Sequence, residues 1–203
     1  MAYTTPRTWT AGEKVTAAQM NEQLRDNMAY VYGRQPFEKL IWIANLQPTV
    51  TGGAGTPSKV EMGTNKNVYD YLPFDGGTVD EYAYANVPMP DDYDGGTVTG
   101  QFYWSYGGTP SNHKTAWGLQ AVAISDADAL DVAQGVAAYA NDVGGTVNIL
   151  YKSPETAAVT IAGSPAAGDL VQFRVSRHCS DTTNDTLEID ARLHGVLIRY
   201  GVS

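Results

Sequence analysis

Two periodicities divide the chain. Between Thr8 and Gly33 the apolar residues Ala17, Met20, Leu24, Met28 and Val31 recur at spacings of three and four, with Asn21, Glu22, Gln23, Arg25 and Asp26 on the other side. This is the pattern of one amphipathic helix with a narrow apolar stripe. Its start is specified locally: Thr16 is a suitable N-cap, Gln19 completes a capping box, and Val15 and Met20 occupy the positions of a hydrophobic staple. Gly33, with Pro36 beyond it, supplies a stop. Such a helix of about four turns is marginal alone in water, so it needs a surface: its own domain, or copies of itself. Read as heptads, Ala17, Leu24 and Val31 fall at a and Met20 and Asn27 at d.

From Phe37 onward the period shortens to two. Phe37 to Ala44 is apolar and β-branched enough for a first strand. Gln47 to Ser58, rich in Pro, Gly and Thr, reads as a linker or long loop. Val60 to Met62 suits a short strand, and Asn65 to Phe74 reads as irregular and aromatic. Asp80 to Val87 sets Ala83, Ala85 and Val87 opposite Tyr82 and Tyr84. Thr97 to Tyr106 groups Val98, Phe102 and Trp104 against Thr97, Thr99, Gln101 and Tyr103. Thr115 to Ile124 is nearly all apolar or small, which predicts a central strand with Trp117 in the core. Ser125 to Asp131 reads as a one-turn helix or an acidic connection. Further strands are expected at Gln134 to Asn141, Thr146 to Tyr151, Ala158 to Ala162, Asp169 to Arg177 and Leu187 to Tyr200, with Gly195 marking a bulge in the last.

Gly-Gly-Thr follows Asp75 and Asp94 and returns at Gly107 and Gly144. No Gly-Lys-Ser/Thr follows, so these are read as tight turns and not phosphate loops. Eight or nine short strands without helix–strand alternation predict a mainly β fold: an antiparallel β-sandwich, jelly-roll-like, with one N-terminal α-helix. The expected division is 1–35 as a helical attachment or oligomerisation segment and 36–203 as the sandwich.

The residues Trp9, Gly12, Glu13, Val15, Thr16, Ala17, Met20 and Asn21, followed by Arg25, Asp26 and Asn27, carry a resemblance. This run resembles the N-terminal segment of structural proteins of tailed bacteriophages, of the tail, fibre or minor virion type. The stretches AGDLVQFRVSR and DTLEIDARLHGVLIRY resemble, more weakly, β-sandwich domains of phage proteins. The resemblance implies a virion protein whose N-terminal helix attaches or trimerises and whose sandwich faces outward.

Composition narrows the functions. A net charge of −9, with no basic run, argues against a nucleic-acid surface. The single cysteine, Cys179, excludes an intramolecular disulfide and a multi-cysteine zinc module. No apolar run reaches membrane-span length, and the first residues lack the apolar region of a signal peptide. Assembly in a cytoplasm, without membrane insertion, is therefore expected, and the resemblance implies that this is a host cytoplasm and that the protein resides in a virion.

Catalytic parts are sparse. His178 and Cys179 are neighbours, which in a strand sends them to opposite faces; His113 falls in a loop and His194 in the last strand. Nothing flanks a Ser or Cys as a nucleophile elbow would, so no catalytic residues are expected. Asp126, Asp128 and Asp131, with Asp142 as a further candidate, and the group Asp91, Asp92 and Asp94 lack the Gly turn and closing Glu of a calcium loop and read as solvated acidic loops, so no metal or cofactor is expected. Among thirteen tyrosines, those in turn-rich context, Tyr69, Tyr71, Tyr93 and Tyr106, are the candidate ligand contacts. Trp9, Val15, Met20, Leu24, Met28 and Val31 are the candidate attachment residues.

The function expected is a non-enzymatic bacteriophage virion structural protein, tail or fibre-type. Its partners would be copies of itself, favouring a homotrimer, other virion proteins, and a host-surface receptor or glycan. A capsid decoration or head-fibre protein and a soluble carbohydrate-binding module are the alternatives.

Overall fold

A computed structural model of the chain describes residues 5, 7–32 and 38–202. The chain divides into two compact units, Met1–Phe37 and Glu38–Ser203.

In the first unit Thr16 accepts from the Gln19 backbone and the Gln19 side chain accepts from the Thr16 N–H at 2.8 Å, the reciprocal box expected. The helix over 17–32 is not uniform. α1 (Ala17–Met20) passes into a π-helical stretch, Asn21–Asp26, before α2 (Asn27–Tyr32) resumes the tighter winding. Bonds from i to i+5 widen the turn, so a stripe drawn at 3.6 residues per turn does not run straight through it. Ahead of the helix, Arg7 stacks on Trp9 at 4.8 Å and pairs with Glu13, and its N–H donates to Gln23 Oε1 at 2.9 Å. Gly33, Pro36 and Phe37 lie outside the described residues.

The second unit is mainly β, built from two antiparallel sheets. Its eleven strands are β1 (Glu38–Ile43), β2 (Gln47–Pro48), β3 (Ser58–Glu61), β4 (Val68–Phe74), β5 (Glu81–Pro88), β6 (Tyr93–Tyr106), β7 (Lys114–Ile124), β8 (Ala138–Val143), β9 (Tyr151–Lys152), β10 (Leu170–Arg177) and β11 (Ala191–Val202). The first sheet runs β3-β4-β11-β6-β9, and β1 shares with β4 one edge of β11; the second runs β2-β5-β10-β7-β8. Only β3–β4 and β7–β8 follow one another within a sheet; every other connection crosses between the sheets, the interleaving of a jelly roll.

Inward side chains alternate along each strand as the sequence pattern requires. Phe102, Trp104 and Val98 from β6 meet Trp117 and Leu119 from β7 and Phe173 and Val175 from β10, all within 1% of full burial. Trp117 stacks on Phe102 at 5.6 Å and meets Phe74 edge-on at 5.3 Å. The second sheet, to which Trp117 belongs, also contributes the small side chains Ala83, Ala85 and Ala121 to this core. Arg177, fully buried, pairs with Asp185 through two bonds of 2.8 and 2.9 Å and donates to the carbonyls of Phe74, Ile189 and Leu187. One side chain thereby ties β10 to the end of β4 and to the loop that enters β11.

Several expectations are corrected. Asn65 to Phe74 is not irregular: from Val68 it is β4, because Leu72 and Phe74 find core partners while Tyr69 and Tyr71 face outward. Thr146 to Tyr151 is not a strand; only Tyr151 and Lys152 pair, since the Tyr151 hydroxyl holds 145–146 in a tight loop. Ala158 to Ala162 makes isolated bridges, Val159 to β6 and Ala162 to β7, and so passes from one sheet to the other across an open side. Such a cover protects an edge without extending it. The Gly95–Gly96 copy of Gly-Gly-Thr lies inside β6, where Asp94 accepts from Gly96 N–H at 2.8 Å and Gly95 takes a positive φ of 77°. Ser125 to Asp131 is a turn closed by Asp128 accepting from Ser125 N–H. Gln47 to Ser58 is not a free linker: Ala54 is buried and its N–H reaches Tyr82 O.

Candidate ligand-binding cleft

The first sheet's outer face carries a cleft of about 510 Å³, and an irregularity in β11 creates it. Leu193 pairs with Trp104 and Gly195 with Tyr103, so His194 is an extra residue bulged out of the ladder. The bulge gives β11 an additional outward position between Leu193 and Val196, both of which remain buried. His194 uses that position to reach across the sheet. Gly195, without a side chain, leaves space that the Trp42 ring fills; a Cβ there would run into the ring.

The walls are aromatic and aliphatic. Trp42, half exposed on β1, stands edge-on to Tyr103 of β6 at 5.0 Å and 88°. Lys152 lies 5.1 Å above the Tyr103 ring. Tyr69, also half exposed, closes the other end 6.2 Å from His194, and Val60, Met62, Val68 and Leu150 complete the lining.

The floor is polar, with fixed hydrogen-bond roles. His194 Nδ1 lies 2.9 Å from the Asp70 carbonyl, which only accepts, so Nδ1 carries the proton. In the neutral ring Nε2 is then the acceptor, and Ser105 Oγ–H donates to it at 2.8 Å. Burial lowers the His194 pKa; the Asp70 carbonyl opposes that shift and nearby Arg192 adds to it, which favours the neutral form. With its proton committed to His194, Ser105 presents oxygen lone pairs to the cleft. Asn148 supplies the opposite polarity. Its Oδ1 accepts from Arg192 at 3.1 Å, which orients its amide nitrogen as a donor. Asn148 takes a left-handed φ of 58°, a conformation that Asn tolerates better than most residues. An acceptor, a donor and two upright rings around one cavity suit a flat polyhydroxylated ligand.

Of the tyrosines expected at a site, Tyr69 and Tyr71 share the outer face of β4 and flank His194 at 6.2 and 6.3 Å. Tyr69 lines the main cleft. Tyr71 borders a smaller one of about 290 Å³ that also touches His194, and it carries the Arg192 guanidinium 5.2 Å from its ring. Tyr93 and Tyr106 are corrections: at 4% and 1% exposure they are core residues. Tyr93 packs on Tyr200 at 6.2 Å, and Tyr106 stacks on Tyr151 at 6.0 Å. Burial is the main force pushing the Tyr93 hydroxyl pKa up to about 12. Turn-rich sequence context misled here because β6 begins at Tyr93 and ends at Tyr106.

Sequence reasoning missed Trp42, Tyr103, Ser105 and Asn148 and left His194 unassigned. The outward register of Trp42 and Tyr103 was readable from alternation, and Gly195 signalled the bulge. Their convergence was not readable, because β1, β6 and β11 are distant in sequence.

The other candidates have structural duties or stand apart. Trp9, Val15, Met20, Leu24 and Met28 are all exposed, and the Val31 side chain lies outside the described residues. Cys179 is a buried thiol donating to Asp75 O, its pKa pushed up to about 12 chiefly by burial. His178 lies 2.9 Å from Asp80 and His113 packs on Tyr106. Asp92 pairs with Lys39, Asp94 holds Gly96, and Asp142 accepts from Trp104 Nε1. Among the described residues no group of three or more His, Cys, Asp or Glu is placed to hold a metal ion. Nor is any helix among them long and apolar enough to cross a membrane.

No family model matches the chain, and no curated protein matches it. Solved structures similar to it include the CBM22-2 xylan-binding domain of Paenibacillus barcinonensis Xyn10C, 17% identical over 79% of this chain and 93% of that one, with a TM-score of 0.43. Another is CBM35 from Cellvibrio japonicus Abf62, 9% identical over 82% and 98%, with a TM-score of 0.41. A third is the enzymatically active domain of tailspike protein 4 of bacteriophage CBA120, 10% identical over 82% and 19%, with a TM-score of 0.36.

Proposed function

We propose that this chain is a bacteriophage virion structural protein of tail or fibre type that works by binding and not by catalysis, with a sandwich that takes a host-surface saccharide in the first sheet's cleft. The observation that carries the binding reading is the pairing of upright rings, Trp42, Tyr103 and Tyr69, with a floor of assigned acceptor and donor, Ser105 Oγ and Asn148. Ring faces pack against the apolar C–H faces of a pyranose, while the floor hydrogen-bonds its hydroxyls.

The virion reading is supported by the N-terminal run from Trp9 to Asn27 and by the exposed Met20, Leu24 and Met28, which an attachment or homotrimer interface would cover. Assembly takes place in the host cytoplasm, and the finished protein resides in the virion with other virion proteins as neighbours.

The test is a glycan array with the full chain, followed by titration calorimetry of the best neutral hit. Trp42→Ala should weaken that hit at least about 10-fold, consistent with the loss of one aromatic contact of ~1.5 kcal/mol. Unchanged affinity in the variant, or no saccharide bound by the parent, would sink the proposal.

A further inference from the structure

The second sheet's outer face is built differently. Across β5, β10 and β7 the register aligns Tyr84, Arg174 and Gln120 in one row and Asn86, Gln172 and Val122 in the next. The loop after β7 borders these rows and leaves a shallow, open cleft of about 380 Å³, with Asp131 and Gln134 on its loop side.

Arg174 and Arg192 are the two arginines without an ion-paired carboxylate among the described residues. Arg7, Arg25, Arg177 and Arg199 each have a carboxylate partner. Arg174 has none among the described residues; its Nε and one terminal nitrogen donate to the neutral Gln120 Oε1, at 2.8 Å for Nε, and its carbon lies 4.8 Å over the Tyr82 ring. A guanidinium has five donors, and these bonds take two. Gln120 is itself held, its Nε2 donating to Gly135 O at 2.7 Å. The cation is thus fixed in orientation by a ring and an amide, with donors and full charge uncommitted, in a chain of net charge −9.

A second group beside it is also incomplete. Gln134 Nε2 donates to Gln172 Oε1 at 3.0 Å, and Gln172 Nε2 to Asn86 at 3.2 Å, while Gln134 Oε1 is buried with no partner. Buried polar atoms are seldom left so. That oxygen is closed off from solvent, so the acceptor the cleft itself offers to hydroxyls is Asp131.

We propose that this floor is a second saccharide site, specific for a sugar bearing a carboxylate, with Arg174 as the ion-pair partner and Asp131 as a hydroxyl acceptor. Arginine suits the role because its planar fork meets a carboxylate with two parallel bonds. The inference rests on the proposed function only for the chemical class of its ligand, since no residue of the first cleft takes part.

The experiment titrates the full chain with polygalacturonate and with the same polymer fully methyl-esterified, at low and at physiological salt. The acid form should bind, the ester at least 10-fold more weakly, and added salt should weaken the acid form. Arg174→Gln should remove binding of the acid form, Arg174→Lys should restore part of it, and Trp42→Ala should leave it unchanged. Equal binding of acid and ester, or an Arg174→Gln chain that folds and binds as the parent does, overturns the proposal. The acid–ester comparison decides the matter on the parent protein alone should the variant not fold. Polyglutamate binding as tight as polygalacturonate also overturns it, since the site would then read charge and not sugar. Loss of neutral-glycan binding in Trp42→Ala belongs to the first cleft, so the two proposals fail separately.

Discussion

The helical unit and the sandwich solve the burial of apolar side chains in opposite ways. In the sandwich, Trp104, Trp117 and Phe102 are all at 0% exposure, and even a guanidinium, Arg177, is taken inside and satisfied. Met20, Leu24 and Met28 of the helix are 44%, 52% and 55% exposed, and Asn27 is the buried residue there. The contrast separates two levels of specification. The helix is fixed by neighbours three to six residues apart, Thr16 with Gln19 and Arg7 with Glu13. The sandwich is fixed by pairings such as Phe74 with Ala191 and Tyr103 with Gly195. A unit closed by distant contacts holds its own core, whereas one specified locally has a face left for a partner.

Breaking the sandwich where its burial is most demanding should have the largest effect. Asp185→Ala leaves Arg177 buried without its charge partner, and about 3–5 kcal/mol of stability should be lost, measured by urea unfolding of the sandwich tryptophans. A loss below ~1 kcal/mol would show that the three carbonyls suffice to hold the guanidinium. Next, Gly195→Val sets a side chain where the Trp42 ring lies. It should cost about 1–3 kcal/mol by overpacking and weaken saccharide binding by moving Trp42, both visible by melting and calorimetry. If binding survives intact, Trp42 is not part of the site.

On the helical side, Leu24→Asp should lower the oligomeric mass seen by light scattering while the sandwich melts as before. An unchanged mass would remove the stripe as an interface. The smallest effect expected is a pH response confined to the sandwich, since all three histidines lie there. His194 has a folded pKa below the ordinary 6.5. As pH falls below about 6.5 the unfolded chain takes up this proton before the folded one, so stability declines until the folded pKa is reached and then levels. Protonation of the folded ring removes the Nε2 acceptor from Ser105, so affinity at the first cleft should fall at lower pH, as the folded pKa is passed. His194→Gln should flatten both curves; a parent whose affinity is level at every pH at which it stays folded would contradict the role assigned to Nε2.

Much of this was legible from residue order. Alternation placed Val98, Phe102 and Trp104 inward, the unbroken apolar run of Thr115 to Ile124 marked an interior strand, and Gly195 announced the bulge. Tyr69 and Tyr71 were picked as ligand candidates from turn-rich context, and the structure sets both on the outer face of β4. Tyr93 and Tyr106 were misplaced because strand ends cannot be read from turn residues alone: β6 absorbs a Gly-Gly pair that elsewhere in the chain ends a strand. Thr146 to Tyr151 failed for a related reason, since a Tyr hydroxyl bonding back to its own loop outweighs a weak strand propensity.

The sequence by itself determined the elements, since the helix start, the faces of the strands and the position of the bulge each depend on residues a few places apart. Only the tertiary structure decided which outward residues meet. Trp42, Tyr103 and His194 converge because β1 and β6 take opposite edges of β11, and Arg174 stands without a carboxylate because β5 and β7 flank β10 with Tyr84 and Gln120. Local patterns fix which face a side chain takes; strand order, which follows from closing one core with the whole chain, fixes its neighbours.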